Sequence, residues 1–318
     1  MLGLTDYITE QTWEDTLIAI YVLVAERLEQ AAQAAKFMRT RGPEPEYDDA
    51  QIITIALAAE AWFDGDEEKT LHFLRQYHPS LWSNGIPDTS RFNVRRRALL
   101  WVIEALRRQL RDEWRQQRRA TPPDPSETRD PDLEERIRLV DSAPVILTSR
   151  GRGGRTPTIE PEQRAEWFGV CTSQDFKFFG ARLHATVDLD QMLDEWVLAP
   201  GSYVDLKVFP ALCDGYAHLI YIGDKGYVGQ EQEDFVWERG QHLLLPLRRD
   251  NQQEQWPTGI QKILGQLRHR IETAFSVLTT AFNLRLPQGR SFTGLVARTA
   301  TKMLAYTLSF FLARLFTA

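Results

Sequence analysis

Ile220-Tyr221-Ile222 is a short apolar run that ends abruptly in Gly223-Asp224-Lys225-Gly226-Tyr227. Strands buried on both faces read as such runs, and a carboxylate between two glycines at the end of one is an acid delivered to the exposed C-terminal edge of a sheet. Two further acids stand in comparable settings. Asp141 closes Ile137-Arg138-Leu139-Val140, and Glu272 lies inside a long helical run. These three are the candidates for a single site.

With 318 residues, 43% of them hydrophobic and 26% charged, the chain is large enough for two domains with proper cores. Cys171 and Cys213 match no metal-ligand spacing and are too few for a disulfide framework. They point to a reducing cytoplasm and to oxygen ligands for any metal. The polar, acidic opening from Met1 to Glu10 is unlike a secretory leader. The most apolar tract, Met303 to Phe316, is too short to span a bilayer and carries Arg314, so a docked C-terminal helix and no membrane partner are expected.

A net charge of -6 lacks the overall basic footprint of many nucleic-acid binders, but the charge is unevenly spread. Between Arg75 and Arg119 eleven arginines face only Asp88, Glu104, Asp112 and Glu113. Arginine favours bidentate phosphate contacts. That segment reads as helical throughout. Apolar positions recur at three and four residues from Thr16 to Phe37, with Thr12 and Asp15 as a capping pair. Asp48 caps a second helix from Ala50 to Trp62, and a third contains Leu71, Phe73 and Leu74. Thr89 or Ser90 caps a long fourth helix through Trp101 and Leu110, with Arg96 and Arg108 among its candidate phosphate contacts. The alternative for those arginines is the solvated face of a helical bundle.

Four prolines between Thr121 and Pro131 cannot continue a helix and mark a linker. The expected domains are therefore 1–120, all-α, and 133–318, α/β, joined by 121–132. Beyond the linker the pattern predicts strands at Arg136–Val140, Phe178–Asp188, Leu193–Leu198, His218–Asp224 and His242–Leu247. Helices are predicted at Tyr203–Cys213, Gln230–Arg239 and Thr258–Phe282, with a flexible basic loop, Ser149 to Arg155, carrying Arg150, Arg152 and Arg155. This is the element order of an RNase H-like fold, in which the first and fourth strands are neighbours and set Asp141 beside Asp224.

Three crowded carboxylates repel by roughly 4 kcal/mol per close pair at an effective dielectric of 20, which calls for a bound cation or raised proton affinities. Two Mg²⁺ ions about 3.5 to 4 Å apart can activate an attacking oxygen, stabilise a leaving oxygen and hold a phosphate in line. Mg²⁺ takes hard oxygen ligands, so three carboxylates and a substrate phosphate suffice. Arg268 and Glu272 share one helix face, one turn apart, either as phosphate and metal contacts or as a plain intrahelical ion pair. Asp205 reads as a helix-start residue, His184 as structural, and Lys225 as a phosphate contact beside Asp224.

Five stretches carry a wider likeness: Val140-Asp141-Ser142-Ala143-Pro144-Val145, Phe179-Gly180-Ala181-Arg182-Leu183-His184, Leu198-Ala199-Pro200-Gly201, Gly223-Asp224-Lys225-Gly226-Tyr227, and Arg268 through Ser276. In these residues and their order the chain resembles the DDE transposases of bacterial insertion sequences, within the retroviral integrase and RNase H-like superfamily. The resemblance implies an α/β fold, an RNase H-like catalytic domain with a mixed five-stranded sheet, behind an all-α N-terminal domain. It implies that Asp141, Asp224 and Glu272 are the catalytic, metal-binding acids, holding two Mg²⁺ ions for which Mn²⁺ can substitute, and that Arg268 assists at the DNA. Where the family has a tyrosine and a lysine flanking these residues, this chain has Gly265 and Thr279.

The implied activity is an enzyme's: cleavage at the ends of a transposon and transfer of the freed 3′-hydroxyl into target DNA. Its partners are double-stranded DNA, as terminal inverted repeats and target, and a second copy of the chain in the DNA complex. Its expected location is the bacterial cytoplasm. The rival readings are an RNase H-like nuclease that cleaves without joining, and a domesticated DNA-binding protein that keeps the fold alone.

Overall fold

The structure, a computed structural model, describes residues 13–37, 45–120, 130–156, 159–171, 175–213, 217–248, 255–289 and 291–317. The capping pair expected at Thr12 and most of the proline-rich linker lie outside them. The chain divides into two compact units, Met1–Arg115 with Val277–Ala318, and Gln116–Ser276.

The first unit is helical: α1 (Trp13–Ala34), α2 (Asp49–Trp62), α3 (Glu67–Tyr77), α4 (Thr89–Ala98), α5 (Leu100–Ala120, which runs on into the second unit) and the C-terminal helix, α11 (Phe292–Thr317). Carboxylates start three of them. Asp48 accepts from the amide of Gln51, Asp66 from Lys69, and Asp88 from Ser90 and Arg91. The α4 cap is thus Asp88, just before the expected Thr89 or Ser90, because its side chain accepts from two free amides of the first turn, those of Ser90 and Arg91. The long fourth helix of the sequence reading is two helices, broken at Leu99.

Every residue of α2 from Ala50 to Ala61 is buried. A helix that is apolar all round must be covered on every side, and α2 is packed by α1, α3, α4 and α11. This explains a departure from the expected domains: the last 42 residues, assigned on sequence to the α/β domain, group with the N-terminal helices. Charges cross this interior in pairs. Glu60 of α2 meets Lys302 of α11, which also donates to the Phe282 carbonyl at 2.7 Å. Glu67 of α3 lies 2.8 Å from Arg96 of α4 and 2.9 Å from Arg298 of α11.

The second unit holds α6 (Pro131–Arg136), β1 (Ile137–Thr148), α7 (Arg150–Gly153), β2 (Phe168–Cys171), β3 (Phe176–Val187), β4 (Leu193–Pro200), α8 (Asp205–Val208), β5 (Ile220–Gly223), α9 (Gln230–Gly240), β6 (Leu243–Pro246) and most of α10 (Thr258–Thr280). One mixed sheet has the order β2-β3-β1-β5-β6, with β4 also on β3. β1 runs antiparallel to β3 and parallel to β5, and β5 runs parallel to β6. β2, absent from the sequence reading, pairs with the first residues of β3.

β1 is longer than Pro144 suggested. Its pairing with β5 stops at Leu139, while its pairing with β3 continues from Leu139 to Thr148. Past the acid it has a strand on one side only, where a proline removes no ladder bond that matters. Gly180 allows that long pairing, since a Cβ there would stand 2.1 Å from the Val145 carbonyl oxygen. The expected basic loop is instead the short helix α7, with Gly153 against Phe179.

Glu60 and Lys302 are 3% and 1% exposed, and a buried charge stripped of its partner costs about 3 to 5 kcal/mol. Lys302→Met is expected to lose about that much stability in urea denaturation. Adding Glu60→Leu should restore most of it, whereas equal stability of Lys302→Met and wild type would show the pair to be incidental.

Candidate active site

The register of the parallel pair sets the first two acids. Leu139 stands opposite Ile222, so Asp141 and Asp224, each two residues on, lie level at the same sheet end. Each carboxylate accepts a backbone hydrogen bond. Asp141 Oδ1 takes the Ser142 amide at 2.8 Å, and Asp224 Oδ1 takes the Gly226 amide at 2.6 Å, in the turn Lys225–Tyr227 that it caps.

The third acid arrives on α10. Arg268 Nη2 lies 3.2 Å from Glu272 Oε1 and 3.5 Å from Asp141 Oδ2. The intrahelical pair is therefore present, and the same guanidinium reaches across to β1. His269 Nδ1 approaches the other Glu272 oxygen at 2.9 Å.

A fourth acid stands here that the sequence reading left at a helix start. Asp205 Oδ1 accepts from the Ser142 hydroxyl at 2.7 Å and lies 3.4 Å from His184 Nδ1. Arg182 Nη1 donates to the same hydroxyl at 3.3 Å. The available signal was a carboxylate soon after the Pro200-Gly201 turn, which a helix N-terminus explains equally well.

Burial pushes the Asp141 carboxyl up to about 6, against the Ser142 amide and Arg268, and the Asp224 and Asp205 charges raise it further. Burial and the Arg182 charge lower His184 to about 3, so its ring is neutral at physiological pH. Tyr227 is held well above the usual phenol range by burial, then by Asp205, Asp141 and Asp224.

Other candidates fall elsewhere. Lys225 is exposed next to Asp224. Arg150, Arg152 and Arg155 are exposed, but they follow the far end of β1, which lies about 20 Å along the strand from Asp141. In the helical unit Arg108 is half exposed and paired with Glu104. Arg96 is a correction. It is 1% exposed and held by Glu67, turned inward because the buried carboxylate needs a counter-charge, and it offers no surface contact.

Among the described residues no three acid, histidine or cysteine side chains stand close enough to hold a metal ion between them. Arg268 supplies the positive charge between Asp141 and Glu272. All four carboxylates are hard oxygen donors, the chemistry that suits Mg²⁺ or Mn²⁺.

The α/β unit thus gathers acids at the end of two parallel strands and on a late helix. The family model of the transposase DDE domain matches residues 132–308, more than half the chain, and the chain belongs to that family. It is a transposase, and DNA is its substrate. No curated protein and no solved structure matches. Among the described residues no helix is long and apolar enough to cross a membrane.

The native Asp141 carboxyl binds its proton more tightly than the unfolded chain does, so between pH 3.8 and about 6 the native state carries the extra proton. Stability then falls as pH rises through that window, by on the order of 3 kcal/mol. In EDTA, Asp141→Asn should lose that fall and be the more stable protein at pH 7. Identical pH profiles would remove the raised proton affinity assigned to the buried Asp141 carboxyl.

Proposed function

We propose that this transposase has an RNase H-like catalytic domain in which Asp141, Asp224 and Glu272 hold two divalent cations. It hydrolyses a phosphodiester at each transposon end and joins the freed 3′-hydroxyl to target DNA. The observation that supports this is the convergence of acids from β1, β5 and α10 at one end of a sheet ordered β4-β3-β1-β5-β6. Family membership adds the substrate.

Mg²⁺, or Mn²⁺ in its place, supplies activation of the attacking oxygen and stabilisation of the leaving oxygen. The chain's own groups do the rest. Asp141 gives up its proton and, with Asp224 and Glu272, offers oxygen ligands. Arg268, relieved of its carboxylate partners, is free to take a DNA phosphate in a forked contact. Lys225 lies beside Asp224 for the same purpose. Both steps are in-line displacements at phosphorus. Water attacks first and releases a 3′-hydroxyl; that hydroxyl then attacks a target phosphodiester and releases a new one. Synapsis of two ends calls for at least a dimer on DNA. The helical unit binds the ends through exposed arginines such as Arg91, Arg97 and Arg108.

Purified protein with Mg²⁺ or Mn²⁺ and labelled DNA carrying the ends that flank its gene should give joined products, absent with Asp224→Ala. On the same DNA, Arg108→Ala should weaken binding and lower the salt slope by about one. Cleavage without joining would make the protein a nuclease, and binding without either would leave it a DNA-binding relic.

A further inference from the structure

We propose that Asp205 is a positioning residue of this site, a fourth carboxylate that holds Asp141 and Asp224 ready for a divalent cation. The inference rests on the reading that those two acids bind the cation. Asp205 is the first residue of α8 and the residue before it, Val204, makes no side-chain cap. A carboxylate serving only the helix dipole needs no partner on another strand. This one accepts the Ser142 hydroxyl at 2.7 Å, and the Ser142 amide in turn holds Asp141. Arg182 fixes the same hydroxyl from β3.

The second Asp205 oxygen faces the other acid. A Cβ built on Gly226 would stand 3.1 Å from Asp205 Oδ2 and 2.8 Å from Asp224 Oδ1, so these oxygens flank the glycine within about 6 Å of each other. One oxygen is thus anchored on β1 while the other sits beside Asp224. Buried polar atoms near this pair lack partners of their own. The Tyr227 hydroxyl and both His184 ring nitrogens are fully buried and have no hydrogen-bond partner, and His184 Nδ1 lies 3.4 Å from Asp205 Oδ1. Orphaned buried polar groups are rare in native proteins, and among the charges acting on Tyr227 that of Asp205 has the largest effect. Asp205 acts through Ser142 and Asp141, and its charge adds to the field that draws a cation to the strand ends.

Mn²⁺ binding to the metal-free full chain, followed by electron paramagnetic resonance without DNA, separates this role from a purely structural one. Asp205→Asn keeps an oxygen for the Ser142 hydroxyl and removes the charge. It should weaken Mn²⁺ binding about 10- to 100-fold, the range for residues that support metal ligands, with no loss of thermal stability in EDTA. Ser142→Ala, which frees Asp205 without altering its charge, should give a smaller loss. Wild-type affinity in both variants, with binding abolished by Asp224→Ala, would overturn the role of Asp205 alone. Undiminished binding in Asp224→Ala would instead overturn the metal-site reading on which it stands. If Asp205→Asn fails to fold, Ser142→Ala decides the matter by the same criterion.

Discussion

Carboxylates gathered at one end of a sheet repel one another, by roughly 4 kcal/mol for each pair about 4 Å apart at an effective dielectric of 20. The α/β unit is arranged around that repulsion. Parallel pairing of β1 with β5 sets Asp141 level with Asp224, and Asp205 joins them from α8. The opposing charge comes from Arg268, whose guanidinium touches both Asp141 and Glu272. A planar fork can serve two carboxylates where a lysine ammonium acts as a point charge. Backbone amides of Ser142 and Gly226 absorb part of what remains. Asp141 keeps a raised proton affinity even so, first because it is buried and then because of the Asp224 and Asp205 charges. A divalent cation would relieve it, and in doing so would release Arg268.

The helical unit meets the same physics differently. Its interior charges are matched, among them Glu60 with Lys302, and Glu67 with Arg96 and Arg298. Such pairs add little net stability over apolar packing but penalise any arrangement that separates them. They join α2, α3, α4 and α11, so residues near the two ends of the sequence belong to one core. The arginine-rich segment from Arg75 to Arg119 is thereby split in role. Arg96 and Arg107 face inward, while Arg91, Arg97 and Arg108 remain exposed.

The strand ends were legible because a buried parallel strand leaves a plain mark, an apolar run cut off by a polar residue, as at Ile222-Gly223-Asp224. The continuation of β1 was hidden by Pro144, whose meaning changes once a strand has a neighbour on one side only. β2 was missed because Phe168–Cys171 is four residues long and contains a glycine, too little for a period to register. Arg96 was read as exposed because its partner, Glu67, sits on a different helix, and a lone arginine in a sequence defaults to the surface. Asp205 does start a helix, as expected, but its contacts beyond that helix were not legible for a related reason. An acid at a helix start has a local explanation, and only the fold brings Ser142 and Asp224 to it. Positions set by a residue's own strand could be read in advance; contacts with a distant partner could not.

The central claim is that these carboxylates exist as a set to hold divalent cations. Crystals of the full chain grown with Mn²⁺ and measured at the manganese edge test it most directly. An anomalous peak is expected at ligand distance from both Asp141 and Asp224, with Arg268 withdrawn from Asp141. Manganese bound elsewhere, while Arg268 keeps its hold on Asp141 and Glu272, would contradict it.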